Sequence, residues 1–416
     1  MSNWEIKPIK SIGRVVTGKT PPTDNPEYFD GGELFVSPRD LDWDSHYIAE
    51  TETRITSKAL EKFKNQVIPR NTVMFTSLSF AFGKMGIASK PCLTNQQINS
   101  VIVNKENNPK FVYYLLRAYK PIIFSYNSGI DTPIVPKSVF EKIEVKIPSN
   151  KLQEKIAAIL SAYDELIENN QRRIALLEKM AEEIYREWFV RLRFPGHEKV
   201  KIIKGVPEGW QRTKVVTLTS YLKRGVAPQY DDLAEGFAIN QKCIRDGKLD
   251  LSFARHQSRD VSADKQIRFG DVLVNSTGEG TLGRVAQVLT QLSNCIVDSH
   301  VTIVRPKHNV PIHYFGMTLK AWEVHFSTMG RGATNQTELS PTVIGNIEVT
   351  MPSKPLQDVF ESHAEPLFAQ ITYLTAQNER LTRMRDLLLP RLISGKLSVE
   401  HLDIQFPPGM EESACV

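Results

Sequence analysis

The stretch Ile143-Glu144-Val145-Lys146-Ile147-Pro148-Ser149-Asn150-Lys151-Leu152-Gln153 sets the reading of the whole chain, because it returns as Ile347-Glu348-Val349-Thr350-Met351-Pro352-Ser353-Lys354-Pro355-Leu356-Gln357. The offset is 204 at every matching position, and it holds without a gap to Leu177 and Leu381, then to Met180 and Met384. Upstream the copies are fainter and the offset drifts: Trp4 pairs with Trp210 (206), Gly18 with Gly225 (207) and Val73 with Val272 (199). The chain therefore contains an internal repeat whose back has kept its register and whose front has gained and lost residues.

The back of each copy carries an apolar stripe that steps alternately by four and three. In the first it runs Ile156, Leu160, Tyr163, Ile167, Asn170, Ile174, Leu177, Ala181, Ile184, Trp188. The second gives Phe360, Ala364, Leu367, Ile371, Leu374, Asn378, Leu381, Arg385, Leu388, Leu392. A heptad stripe this long reads as a coiled-coil seam rather than as one face of a helix lying on its own domain. The coiled-coil seam residues are Ile156, Leu160, Tyr163, Ile167, Ile174, Leu177, Ile184, Leu367, Ile371, Leu374, Leu381 and Leu388. Asn170 and Asn378 are amides within it, and a buried amide costs stability but fixes register and partner. The first helix is expected to open with Asn150 as N-cap and Gln153 three residues on, and to stop before Pro195-Gly196. The second should begin near Pro355, kink or break at Pro390 and end at Gly395.

The fronts read differently, with short β-rich runs such as Thr72-Val-Met-Phe-Thr76, Asp271-Val-Leu-Val-Asn275 and Val301-Thr-Ile-Val304 between Gly, Pro and Asn. Phe111 to Tyr119 is one of few helical pieces. The expected fold class is α+β: two mixed, mostly β globular domains separated by two long antiparallel coiled-coil helices, with an internal pseudo-two-fold repeat. The boundaries fall at 1–150, 151–193, 200–354 and 355–397, with 398–416 as a C-terminal tail.

The 416 residues are 41% hydrophobic and 24% charged, which suits two or three folded units and excludes a fibre or a disordered chain. No run of 18 apolar residues occurs and the start lacks the apolar core of a signal peptide, so a cytoplasmic protein is expected. Cys92, Cys243, Cys295 and Cys415 are too scattered for a zinc site or a disulfide framework. The net charge of +5 is uneven: residues 1–150 carry +4 and 193–354 carry +6, against −1 for 151–192 and −4 for 355–416. Two basic blocks point to two surfaces facing a polyanion.

Several motifs imitate catalysis. Gly13-Arg-Val-Val-Thr-Gly18-Lys19-Thr20 fits the phosphate-loop pattern, which works only where its Lys and Thr open a helix. Pro21-Pro22 and Pro26 oppose that helix, and the other copy reads Lys223-Arg-Gly-Val-Ala-Pro228. Gly278-Glu-Gly280-Thr-Leu-Gly283 with Asp298 beyond it fits a dinucleotide fingerprint, but the β-branched run Arg284-Val-Ala-Gln-Val-Leu289 favours a glycine hairpin between strands. No HExxH occurs, the histidines form no ligand spacing, and Asn25-Pro26-Glu27-Tyr28 lacks the second proline of an amino-methyltransferase loop. The chain is expected to catalyse nothing and to bind no metal.

The pattern resembles the DNA specificity subunit of type I restriction-modification systems over nearly the whole chain. The pieces that carry the likeness are Ile147-Pro148 followed by Gln153, Ile156, Leu160 and Asp164, then Tyr185-Arg-Glu-Trp-Phe189, and Arg385-Asp-Leu-Leu-Leu-Pro-Arg-Leu-Ile-Ser-Gly395. The resemblance implies two target recognition domains, each reading one half of a split, asymmetric double-stranded DNA site, held apart by two helices. It implies as partners two modification (methyltransferase) subunits and restriction/translocase subunits, which would carry S-adenosylmethionine, ATP and Mg; this chain would carry no cofactor. A reader of this kind uses Lys and Arg on phosphates and polar side chains on base edges. Polar, glycine-loosened loops at Ser77–Lys84, Ser125–Thr132, Asn275–Arg284 and Gly330–Thr337 are the candidates. The DNA-binding residues drawn from them and from the turns at Gly18 and Gly225 are Lys19, Ser79, Lys84, Asn127, Arg224, Tyr230, Thr277, Arg284, Arg331, Asn335 and Gln336. The competing readings are a P-loop nucleotide hydrolase using Gly13 to Thr20, and a coiled-coil adaptor that binds no nucleic acid.

Overall fold

The computed structural model describes residues 4–43, 46–78, 80–129, 131–330 and 338–404. It is a mixed α/β chain of two units, the first made of Met1–Asn170 and Gln377–Val416, the second of Gln171–Ala376.

Among its described residues the first unit has ten strands: β1 (Glu5–Pro8), β2 (Gly13–Thr17), β3 (Phe29–Val36), β4 (Tyr47–Ile48), β5 (Arg54–Ile55), β6 (Val73–Thr76), β7 (Met85–Ala88), β8 (Cys92–Thr94), β9 (Ile98–Val103) and β10 (Glu144–Ile147). They form sheets ordered β2-β9-β6-β7-β4 and β5-β3-β8, with β1 and β10 as a separate antiparallel pair. The run Val73-Met-Phe-Thr76 is buried on both faces. Val73 and Phe75 face a core shared with helix α1 (Pro109–Ser125), whereas Met74 faces Leu34 and Val36 of the smaller sheet. A strand packed on both sides reads as unbroken apolar sequence, not as alternation. Asn108 caps α1, accepting a hydrogen bond from the Phe111 amide at 3.1 Å, and Pro109 fills its first turn.

The second unit repeats this plan with β11 (Gln211–Lys214), β12 (Thr219–Arg224), β13 (Phe237–Ile239), β14 (Arg255–His256), β15 (Val272–Asn275), β16 (Val285–Gln287), β17 (Cys295–Val297), β18 (Val301–Pro306), β19 (Glu348–Met351) and helix α2 (Ile312–Ala321). Its sheets are ordered β12-β18-β15-β16 and β14-β13-β17, and β11 pairs with β19. Val272 and Val274 face the α2 side while Leu273 faces the smaller sheet. In both units the smaller sheet holds one parallel pair, β3 with β8 and β13 with β17. Cys92 and Cys295 occupy matching places in these pairs, and burial pushes each thiol up to about 12, so both are inert packing groups.

Two long helices complete the fold, Asn150–Tyr185 and Lys354–Ile393. In the first unit they run antiparallel: Asp164 meets Arg385, and six residues on, Asn170 meets Asn378 through Nδ2 to Oδ1 at 2.9 Å. Every position of the two sequence stripes is buried or half-buried, while Leu166, Leu176, Met180, Tyr373, Met384 and Leu387 between them are exposed. Arg385 is the one cation in the stripe, and it is fully buried against the Asp164 carboxylate. Asp164 also accepts from Tyr114 Oη at 2.6 Å and pairs with His46 Nε2 at 2.8 Å. Burial alone would raise its pKa, but His46, Arg385 and Tyr114 together hold it down to about 2. In the second unit Tyr185 and the π-helical turn Arg186–Val190 set Trp188 and Phe189 against Tyr314 and Phe360.

Three expectations about the helix ends need correction. Asn150 is inside the first helix rather than its cap, and its side chain donates to the Glu106 carbonyl at 2.9 Å. Gln153 does not close a capping box; its amide spans the Pro148 carbonyl, Asn107 and the Asn108 amide, tying the helix start to α1. Gln357 repeats the bond to the Pro352 carbonyl. The second helix does not break at Pro390 but runs to Ile393. Pro390 removes one donor in the last turn, where burial of Leu389, Leu392 and Ile393 in the first unit's core holds the backbone helical. Gly395 then ends it in the left-handed region at φ 76°, with its amide donating to the Leu392 carbonyl.

Candidate nucleic-acid interface

Each unit gathers separate loops at one end of its larger sheet, and the two sets share one hydrogen-bond frame. In the first unit β2 runs out at Gly18, whose amide donates to the Ile98 carbonyl; in the second β12 runs out at Gly225, whose amide donates to Val301. A Cβ at either glycine would lie within 2.4 Å of the carbonyls of the neighbouring turn, Thr94 and Asn95 or Val297 and Asp298, so the close approach requires glycine. The β6–β7 loop closes with Thr76 amide to Lys84 carbonyl and Gly83 amide to Thr76 carbonyl. The β15–β16 loop closes with the same pair, Asn275 to Arg284 and Gly283 to Asn275. Ser77 then bonds Gln97, and Ser276 bonds His300, fastening each loop to the turn that enters β9 or β18. Finally Val135 donates to Ser77, and Leu339 to Ser276.

The frame is common and its side chains are not. The turn between β8 and β9 reads Asn95-Gln96-Gln97, and that between β17 and β18 reads Asp298-Ser299-His300. Asn95 Oδ1 accepts the Gln97 amide at 3.0 Å, and Asp298 Oδ1 accepts the His300 amide at 2.9 Å. Burial raises the Asp298 pKa, opposed by the His300 amide and ring. Thr20 donates to Gln96 at 2.7 Å and Thr17 to Asn99 at 2.7 Å, joining the Gly18 turn to this face. These turns were missed in the sequence; the signal was a polar triplet between two β-branched runs, at nearly the same offset in both copies.

The residues chosen from sequence divide into several groups. Lys19 is exposed beside the Gly18 turn, its ammonium 5.8 Å from the Phe63 ring centre. Lys84 is half-buried and reaches the Pro38 carbonyl at 3.4 Å, and Arg284 donates to Gly280 at 2.9 Å. Arg224 pairs with Glu338. Thr277 stands at the start of its loop, bonded to Gln241 and His300. Two further choices have their side chains engaged within the chain. Asn127 spends its side chain on its own loop, accepting from Gly129 and Ile134 and donating to Gly129. Tyr230 lies beside the smaller sheet, bridged to Gln257, with Arg255 stacked 3.6 Å from its ring centre. Ser79, Arg331, Asn335 and Gln336 lie outside the described residues.

The imitation motifs resolve on geometry. Gly13–Thr17 is strand β2, and a three-residue 3₁₀ turn at Pro26–Tyr28 is the next element, so no helix opens at Lys19 to hold phosphate. Gly278–Gly283 joins the antiparallel strands β15 and β16, a hairpin with glycines at positive φ. Among the described residues no group of three or more His, Cys, Asp and Glu could hold a metal, and no helix is long and apolar enough to cross a membrane.

A β-rich frame built once in each unit with unlike loops, together with two long helices, defines the class of fold. Residues 1–179 match the family model of the type I restriction modification DNA specificity domain. The chain is similar over most of its length to type I restriction enzyme specificity subunits. It is 28% identical over 415 residues to the MjaIX specificity subunit of Methanocaldococcus jannaschii, covering 96% of this chain and 95% of that protein. It is 20% identical over 415 residues to the MjaVIII specificity subunit of the same organism, covering 96% and 94%. The crystal structure of the type I restriction-modification S subunit from M. genitalium has the same fold, with a TM-score of 0.63 at 17% identity, covering 94% of this chain and 96% of that one.

Proposed function

We infer that this chain is a non-catalytic specificity subunit that reads a bipartite, asymmetric DNA site, one half with each unit. The observation that carries the reading is the loop frame built twice with different side chains. A reader of two equal half-sites would need the same side chains twice, and a hydrolase would need one site. The two basic fronts supply phosphate affinity, and Gln96, Gln97, His300 and the loops at Ser77 and Ser276 present the polar groups that distinguish base edges. The long helices act as the antiparallel spacer between the two target recognition domains, with the Asn170–Asn378 amide pair fixing their register.

The partners on this reading are two modification subunits, which hold S-adenosylmethionine and methylate the site, and restriction/translocase subunits, which use ATP and Mg. The exposed residues of the long helices are the natural docking faces. Methylation mapping of DNA modified by the assembled subunits tests the proposal. The expected result is a split site of two unlike blocks separated by a fixed gap; methylation without sequence preference, or at a single continuous site, would contradict it.

A further inference from the structure

We propose that His300 reads a hydrogen-bond acceptor in the major groove, and that Thr277 and Gln241 fix the ring so that it can only donate. The inference rests on the DNA-reading assignment above and adds the polarity of one reading group. Gln241 Nε2 lies 2.5 Å from the Thr277 carbonyl oxygen, which can only accept, so the amide nitrogen must face that residue. Its second hydrogen goes to Thr277 Oγ1 at 2.8 Å. Thr277 Oγ1 is also 2.8 Å from His300 Nδ1. Among the described residues Nδ1 is the acceptor within reach of the Thr277 hydroxyl hydrogen, so the arrangement that satisfies this hydrogen makes Nδ1 the acceptor and places the neutral ring's hydrogen on Nε2.

His300 is exposed at the tip of its turn, and its backbone is held at both ends, by Asp298 through the amide and by Ser276 through the carbonyl. Among the described residues nothing engages Nε2. The ring therefore offers one oriented N–H outward. Its partner class is a purine N7, a guanine O6 or a thymine O4; the exocyclic amines of adenine and cytosine, which only donate, are rejected. At the matching position of the first unit, Asn95 Nδ2 donates to Gln97 Oε1 at 3.3 Å.

The test uses the full chain assembled with its modification subunits and the half-sites defined by methylation mapping. Each base of the target is replaced in turn by an analogue lacking a single acceptor: 7-deazapurines for N7, 2-aminopurine for guanine O6, and a 4-deoxy pyrimidine for thymine O4. At one position in one half-site the analogue should weaken wild-type binding about tenfold, and His300→Ala should lose the same factor on the natural site and be insensitive to that analogue. Thr277→Val should lower discrimination at that position alone, and Thr277→Ser should restore it. A uniform loss in His300→Ala with every analogue effect retained, or equal behaviour of Thr277→Val and Thr277→Ser, would overturn the assignment of His300 only. Wild-type binding with no sequence preference would overturn the DNA-reading proposal and this one with it.

Discussion

Replacing Asp164 with Asn removes the charge that Arg385 is buried against while keeping the shape of the side chain. Asp164 is 6% exposed and Arg385 1% exposed, so water cannot take over for either group. The carboxyl is held down from its ordinary 3.8 to about 2. A folded-state pKa below the unfolded one means that the stabilisation is present above pH 3.8 and is lost as the pH falls towards 2, and the shift corresponds to about 2 kcal/mol. The Asn variant should lose more than this, about 3 to 5 kcal/mol at pH 7, because Arg385 stays buried without its main partner. The remaining Asp386 is half exposed, which favours the lower end. Urea denaturation, with hydrogen exchange at residues 156–170 as the local readout, measures it. The variant should also lose its share of the pH dependence between about 4 and 2, and Asp164→Leu combined with Arg385→Met should recover most of the stability. A loss under about 1 kcal/mol, or an unchanged acid limb, would refute the reasoning.

Three further outcomes are expected. Arg305 grips Asp271 with two bonds of 2.8 Å and also donates to the Asp264 and Gln266 carbonyls, so Arg305→Met should destabilise the second unit by about 3 kcal/mol in urea titrations. Arg331→Ala should cost about 1 to 3 kcal/mol at one base position if it reads an edge, and a loss spread evenly over all sequences would make it a phosphate contact. Deleting seven residues from each long helix shortens the spacer by about 10 Å, so methylation mapping should find the gap between half-sites shorter by about 3 base pairs.

The long helices were legible because a heptad stripe is a local signal, repeated many times and copied at a constant offset. Arg385 was a further signal that went unused. A cation at a seam position requires a buried carboxylate, and Asp164 lay within the same family-like stretch, but the pairing joins residues 221 apart in sequence. The fronts were legible only as β-rich. Their likeness lies in backbone bonds such as Ser77 to Gln97 and Ser276 to His300, which place no demand on side-chain identity, so drifting offsets hid it. Asn127 illustrates the limit of composition: a polar residue in a glycine-rich loop serves as well to close the loop as to face a ligand. Tyr230 was chosen for its nearness to Gly225, and the structure bridges it to Gln257 beside the smaller sheet.

The most direct test of two unlike readers on one chain is selection from a randomised duplex library by the assembled complex, before and after residues 200–354 are exchanged for those of a relative. One block of the selected site should change while the other block and the gap between them stay as they were. If both blocks change, or neither does, the division of reading between the two units is wrong.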